Sequence, residues 1–357
     1  MKAYVLDGIG QLNQREYVLR DLQPGEALVQ VAAAGICGSD LPRIFETGTY
    51  HFPTIPGHEF AGVVKELYAD ADEEMLRQWM GKRVAVFPLI PCRTCRSCAN
   101  HQYEMCSNYN YLGSRTDGGF AEYCIVPVWN LLQLPDEVSF AQAAMMEPAA
   151  VALHAIRRGG LHPDHPETGT GKRVLVMGLG TIGGLIAQWL SQCGVTELTA
   201  TGHHAPQEEL MHRYANENYR FINTNQTAWT DDENTYDLIF DCINDSESVQ
   251  QALRYVKPGG QIVAVGNPKK DLTLQKDIYW KLLRKQVCMT GTWNSSFSHD
   301  SNDDWQILLR YLQEQKLHPQ ALITHRLPFA QLPKGLEIMR LREEFYNKIM
   351  IDLTVCS

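Results

Sequence analysis

The rhythm of apolar and polar positions changes once along this chain, near residue 150. Before that point the apolar runs are short. Residues 27–34 and 83–88 alternate or cluster Val, Leu and Ala, and Gly, Pro or charge bounds them. Gly25, Gly35, Gly57, Gly62, Gly81, Gly118 and Gly119 punctuate the segment. Runs of this kind predict strands joined by long loops, the texture of a small β-barrel-like lobe. A helical pattern begins over 148–155, and a His-, Pro-, Gly- and Thr-rich loop follows over 159–171.

Beyond the loop, strand and helix periods alternate. Strands are predicted over 174–177, 198–201, 238–241 and 261–265, and helices over 183–193, 208–216 and 246–255. Pro258-Gly259-Gly260 is expected to end the last of these helices. This pace of alternation predicts a doubly wound parallel sheet. The tail reads as helices over 305–315 and 332–344 and a closing strand over 349–353. The fold class is therefore α/β, with a β-rich lobe beside a nucleotide-type sheet.

Composition narrows the field. A length of 357 residues favours two domains, and 44% apolar with 20% charged residues is ordinary for a soluble globular chain. A net charge of −9 without a basic stripe argues against a nucleic-acid surface. The uncharged stretch 174–195 is long enough for a membrane span, but its glycines and Gln188, Ser191 and Gln192 divide it into strand, turn and helix. Residues 1–10 carry no basic segment followed by an apolar run, so no secretion signal and no membrane partner are expected.

Four of the 10 cysteines, Cys92, Cys95, Cys98 and Cys106, stand at C-x2-C-x2-C-x7-C. Four thiolates so close can wrap one tetrahedral Zn²⁺ in a closed shell, which holds a loop and catalyses nothing. Cys124, Cys193, Cys242, Cys288 and Cys356 are scattered and read as small apolar core residues with reduced thiols. A reducing compartment follows, most simply the cytoplasm.

A second metal set is assembled from distant positions: Cys37 in a turn after a strand, His58 with Glu59 after Gly57, and Glu147 before Pro148. A thiolate, a neutral imidazole and one carboxylate neutralise Zn²⁺ and leave a coordination position open. Two carboxylates bound together leave a net negative site. One glutamate is therefore expected as direct ligand, Glu147 first and Glu59 close behind, with the other exchanging or behind the ligands. Ser39 is the candidate first proton relay, unless it is a turn serine bonding its own backbone.

Gly178-Leu-Gly180-Thr181-Ile182-Gly183 is G-x-G-x-x-G between a predicted strand and a predicted helix. That context suits a dinucleotide pyrophosphate on the helix N-terminus. An acidic residue should close the second strand and bind the adenosine ribose. Gly202 stands there, followed by His203 and His204. Without the carboxylate, a 2′-phosphate meets no repulsion, so NAD and NADP both stay open, with His203 as a contact for the latter.

The motifs resemble the zinc-dependent medium-chain dehydrogenases across nearly the whole chain. Gly35-Ile-Cys-Gly-Ser-Asp40, Gly57-His-Glu59, the four-cysteine loop, Asp117-Gly-Gly-Phe-Ala-Glu-Tyr123, Glu147-Pro148 and the glycine loop carry the resemblance. It implies a GroES-like catalytic domain over 1–152 with both zinc sites, a Rossmann domain over 153–292, and a return to the catalytic domain over 293–357. It also implies two zinc ions per chain, a nicotinamide cofactor, and a homodimer or homotetramer. Many relatives have His two positions after the Asp of Cys-Gly-Ser-Asp; here it is Pro42.

Glu147-Pro-Ala-Ala-Val-Ala-Leu-His154 is similar to the polyol dehydrogenase branch. Ser39-Asp-Leu-Pro-Arg-Ile-Phe45, Leu112-Gly-Ser-Arg115 and Gly291-Thr-Trp-Asn-Ser-Ser296 resemble members acting on phosphorylated sugar alcohols. The implied reaction is zinc-assisted hydride transfer from such an alcohol. Ribitol 5-phosphate and unphosphorylated, sorbitol-like polyols remain alternatives, as does a nucleotide-binding zinc protein without turnover. A phosphate wants a cation, and Arg43 and Arg115 are the candidates.

Overall fold

The computed structural model describes residues 1–212, 219–226, 229 and 232–353. Two compact units emerge: Met1–Glu147 with Ser296–Ser357, and Pro148–Ser295.

The first unit is built on the 11-residue strand Glu26–Ile36. Burial alternates in its first half and then becomes continuous, because both faces of its second half are covered. Around it lies a seven-stranded sheet. Its path runs Ile323–Pro328, Lys348–Asp352, Glu26–Ile36, Glu59–Leu67, Arg83–Val86 and Leu131–Gln133, with Tyr123–Pro127 also paired to the central strand. The last strand of the chain lies antiparallel to the central one, with Ile349 opposite Ile36 and Met350 opposite Gly35. Val29, Val31, Ile36, Phe60, Val64, Phe120, Leu336, Ile349 and Ile351 share one core. Chain ends that are remote in sequence thus close one hydrophobic interior.

The second unit holds six parallel strands: Arg173–Met177, Glu197–Gly202, Tyr219–Asn223, Tyr236–Asp241, Val256–Ala264 and Cys288–Gly291. Numbered along the unit, their spatial order is 3-2-1-4-5-6, that of a dinucleotide-binding sheet. The inner strands read as unbroken apolar runs because helices cover both faces. Leu175, Met177, Ile239, Val249, Leu253, Ile262 and Ile278 form a core there. The helix Ser246–Tyr255 starts at a capping box made by Asp245 and Ser248.

Several boundaries differ from the expected ones. The helix expected from 148 begins at Met146, since proline is tolerated in a first turn and does not mark the start. The helix expected over 183–193 spans Thr181–Gln192, capped by Gly180. The helix expected over 208–216 is Ala205–His212, and residues 213–216 lie outside the described residues. The strand expected from 261 already begins at Val256, and its pairing register shifts across the Pro-Gly-Gly segment. The helix Lys276–Arg284 and the edge strand Cys288–Gly291 have no counterpart in the sequence reading.

Of the scattered cysteines, Cys124 and Cys193 are buried as expected. Cys242 is half-buried and Cys288 is exposed, because its strand is the outermost of the sheet. Cys356 lies outside the described residues. Among the described residues no helix is long and apolar enough to cross a membrane.

Candidate active site and cofactor loop

The central strand Glu26–Ile36 delivers Cys37 at its end, and the helix Asp40–Phe45 turns away from it. Asp40 is fully buried. One of its carboxylate oxygens, Oδ2, accepts the Cys37 N–H at 3.0 Å. The other, Oδ1, lies 3.4 Å from His58 Nδ1 and 3.4 Å from Arg43 Nη1. Burial pushes the Asp40 carboxyl upward, but His58, Arg43 and the Cys37 N–H outweigh it and hold it below its ordinary value. With Nδ1 turned to Asp40, Nε2 is the His58 nitrogen left for a metal.

His58 is followed by Glu59, the first residue of the strand Glu59–Leu67. One ligand atom from each of Cys37, His58 and Glu59 lies within 4.8 Å of the others. Burial disfavours a charged imidazole at His58, yet Cys37 and Asp40 together raise it well above its ordinary value. These donors favour positive charge at this point, which is the property a divalent cation needs, so the residues fit a zinc ion.

Glu59 does not stand alone. Lys348, from the closing strand, pairs with its Oε2, and both side chains are almost wholly buried. Lys348 Nζ also donates to the Ile36 carbonyl at 3.1 Å. Burial lowers the Lys348 amine, but Glu59, Cys37 and Glu147 raise it further. The sequence reading missed this residue. Charge balance was the available signal: a thiolate and two carboxylates exceed Zn²⁺ by one negative charge, and a lysine immediately precedes the apolar run Ile349-Met350-Ile351.

Glu147 sits in the first turn of the helix Met146–Arg158 and accepts the Tyr111 hydroxyl at 3.2 Å. Tyr111 in turn lies against His58, with ring centroids 5.7 Å apart. Glu147 is thus beside the Cys37, His58 and Glu59 group and interacts electrostatically with His58, Glu59 and Lys348. Burial, the largest influence, pushes its carboxyl upward. Glu59, rather than Glu147, has its carboxylate in the gathered group.

Cys92, Cys95, Cys98 and Cys106 also converge within 4.8 Å. Cys95 Sγ and Cys106 Sγ are 3.9 Å apart. Four thiolates about 2.3 Å from one zinc stand about 3.8 Å from each other, whereas a disulfide needs about 2.05 Å. The set therefore fits a closed zinc site. Tyr103 packs with Cys98 and Cys106, and its ring meets Trp129 edge-on at 5.1 Å. Trp129 contacts Phe297 at 5.2 Å, which ties the loop to the aromatic core of its unit.

In the second unit, Gly178 to Gly183 link the strand Arg173–Met177 to the helix Thr181–Gln192. Gly178 has φ 89°, which favours glycine, and a Cβ on Gly183 would overlap the Gly178 carbonyl. Thr181 and Ile182 open the helix. At the end of the second strand, a Cβ on Gly202 would lie 2.5 Å from Gln207 Oε1 and 2.9 Å from the Phe221 ring. Gln207 Oε1 accepts the N–H groups of His203 at 2.8 Å and His204 at 3.0 Å. Gln207 Nε2 donates to the Leu179 carbonyl at 2.6 Å. The place expected for a ribose-binding carboxylate is filled by this amide. Sequence offered no signal for Gln207, a polar residue early in a short helix. His203 Nδ1 is 2.7 Å from Thr224 Oγ1.

Comparison with known proteins decides the family. Residues 23–136 match the alcohol dehydrogenase GroES-like domain, and residues 181–314 match the zinc-binding dehydrogenase domain. Galactitol 1-phosphate 5-dehydrogenase of Escherichia coli strain K12 is 32% identical over 344 residues, covering 94% of this chain and 95% of that protein. The chain belongs to the zinc-binding alcohol and polyol dehydrogenase family. It is an oxidoreductase that works with zinc and a nicotinamide dinucleotide. The crystal structure of galactitol-1-phosphate dehydrogenase from Escherichia coli superposes with a TM-score of 0.87 at 30% identity, covering 99% of this chain and 100% of that one. L-idonate 5-dehydrogenase of Vitis vinifera is 28% identical, covering 93% and 88% of the two chains.

In this dehydrogenase Ser39 precedes the helix Asp40–Phe45 without a side-chain cap bond, and its Oγ donates to Cys37 Sγ at 3.3 Å. Its hydroxyl is therefore spent on the metal group and not on its own backbone. Arg43 Nη1 lies 3.4 Å from both Asp40 Oδ1 and His58 Nδ1. The Arg115 guanidinium lies 4.2 Å from the Tyr50 ring centre and 4.1 Å from that of Tyr109.

Proposed function

We propose that this enzyme oxidises a phosphorylated sugar alcohol, galactitol 1-phosphate or a close analogue, to the keto-sugar phosphate. The observation that carries this reading is the gathering of Cys37, His58 and Glu59 beside Ser39 and Glu147 in a chain 32% identical to galactitol 1-phosphate 5-dehydrogenase. This chain's loops Leu112-Gly-Ser-Arg115 and Gly291-Thr-Trp-Asn-Ser-Ser296, which resemble members acting on phosphorylated sugar alcohols, support the same substrate class.

In this reading Cys37, His58 and one glutamate hold the catalytic zinc, and Cys92, Cys95, Cys98 and Cys106 hold the structural one. When bound, zinc supplies a Lewis acid that lowers the pKa of the substrate hydroxyl, and the nicotinamide ring accepts the hydride. Asp40 fixes the His58 ring through Nδ1. Lys348 pairs with Glu59 Oε2 and cancels the extra negative charge. Glu147, with Tyr111, is the second carboxylate able to approach the group. Ser39 Oγ, 3.3 Å from Cys37 Sγ, accepts the substrate hydroxyl proton and releases its own proton to solvent, so the alcohol loses one hydride to the nicotinamide and one proton to water. Gly178, Gly180, Thr181, Ile182 and Gly183 receive the pyrophosphate, and Gly202 and His203 face the adenosine ribose. The family relationship supports a homodimer or homotetramer, checked by sedimentation.

The test is a turnover screen of phosphorylated and plain polyols with NAD⁺ and NADP⁺, read by reduced-nicotinamide absorbance. The reading expects galactitol 1-phosphate to surpass galactitol in kcat/KM. Equal or better use of plain polyols contradicts it.

A further inference from the structure

We propose that Arg115 grips the phosphate of the substrate and that Tyr50 and Tyr109 hold its guanidinium in place. The inference rests on the polyol-phosphate reading above.

The guanidinium lies over two aromatic rings, at 4.2 Å and 4.1 Å, well inside cation–π range. Its edge is fixed as well: Nη1 donates to the Tyr109 carbonyl at 2.9 Å and Nη2 to the Tyr50 hydroxyl at 3.1 Å. His51 Nε2 lies 3.1 Å from the Arg115 carbonyl, tying the loop that carries Tyr50 to the turn that carries Arg115. Arginine has five N–H donors, and these bonds leave others for a ligand. Among the described residues, no carboxylate pairs with Arg115. A positive fork held rigid without an internal counter-ion is prepared for an external oxyanion. The side-chain entropy that binding normally costs has already been lost.

Position supports the role. From His58 the ring contacts run to Tyr111 at 5.7 Å, from Tyr111 to Tyr109 at 6.1 Å, and from Tyr109 to Arg115 at 4.1 Å. Arg115 therefore ends an aromatic row that starts at a metal ligand. A hydroxyl four carbons from a phosphoester carbon stands roughly 8 Å from phosphorus, given single bonds of about 1.5 Å. That span exceeds any single step of the row, so the phosphate of a substrate held at the metal group extends along it toward Arg115. Arg43 is less suited, because buried Asp40 already matches its charge and it leans on His58.

The test compares the zinc-loaded wild type with Arg115→Met and Arg115→Lys on galactitol 1-phosphate, galactitol and L-idonate. Zinc content and Tm establish that each variant is folded. Arg115→Met should raise KM for galactitol 1-phosphate about 10- to 100-fold, the scale of a lost charge-assisted pair, with kcat/KM for galactitol little changed. Arg115→Lys keeps charge without the planar fork and should raise that KM less. If Arg115→Met misfolds, the Arg115→Lys rise alone decides. Wild-type KM for galactitol 1-phosphate in a folded variant overturns the role of Arg115 and leaves the polyol-phosphate reading standing. Equal losses on galactitol 1-phosphate and galactitol make Arg115 structural and also overturn it. A wild type that prefers galactitol or L-idonate overturns both readings.

Discussion

Lys348, in the last strand of the chain, forms a buried ion pair with Glu59, the neighbour of the metal-facing His58. The pair joins the chain's end to its catalytic group. Removing one partner of such a pair leaves an uncompensated buried charge, which costs about 3–5 kcal/mol. Lys348→Met should therefore lose about that much stability in urea titration. The double variant Lys348→Met, Glu59→Gln should recover most of it, because neither charge is then stranded. A single variant as stable as the wild type would refute the pairing.

The four-cysteine loop should behave as a staple. Cys95→Ser should lower zinc from two ions per chain to one, matching the two groups of donors. With metal binding lost as folding energy, Tm should fall by more than about 5 °C, at 2–4 °C per kcal/mol for a domain of this size. Intact zinc content and stability in this variant would show that the cysteines hold no metal.

Gly202 and Gln207 make a prediction about the cofactor. With an amide where a carboxylate was expected, no carboxylate at position 202 repels a 2′-phosphate. kcat/KM with NADP⁺ should reach at least about a tenth of that with NAD⁺, a difference of no more than about 1.4 kcal/mol. A hundredfold or greater preference for NAD⁺ contradicts this. Gly202→Asp should not simply install NAD⁺ selectivity: its side chain meets Gln207 and Phe221, and such overpacking costs about 1–3 kcal/mol of stability.

Ser39 is placed to move the substrate proton. Ser39→Ala should lower kcat about 10²-fold, the lower range for a general acid–base group, with KM little altered. Unchanged kcat would assign the proton path to another group.

The parts of the site set by local spacing were legible in the sequence. Cys92, Cys95, Cys98 and Cys106, the loop from Gly178 to Gly183, and the inner strands of the parallel sheet each carry their signal within a short window. Residues that act through tertiary contact were not. Lys348 reaches Glu59 only because the closing strand pairs with Glu26–Ile36. Gln207 gains its place only when the helix Ala205–His212 folds back on the glycine loop. The strand Glu59–Leu67 was hidden because it begins with a functional carboxylate and carries Lys65 and Glu66. The edge strand Cys288–Gly291 is short and exposed, so it shows no alternation to read.

The most direct measurement is turnover of galactitol 1-phosphate by the wild type and by Cys37→Ser, with zinc counted in both. Cys37→Ser should retain the structural zinc, fall to one zinc per chain, and lose turnover. Two zinc ions per chain with undiminished turnover in Cys37→Ser would contradict the placement of catalysis at Cys37, His58 and Glu59.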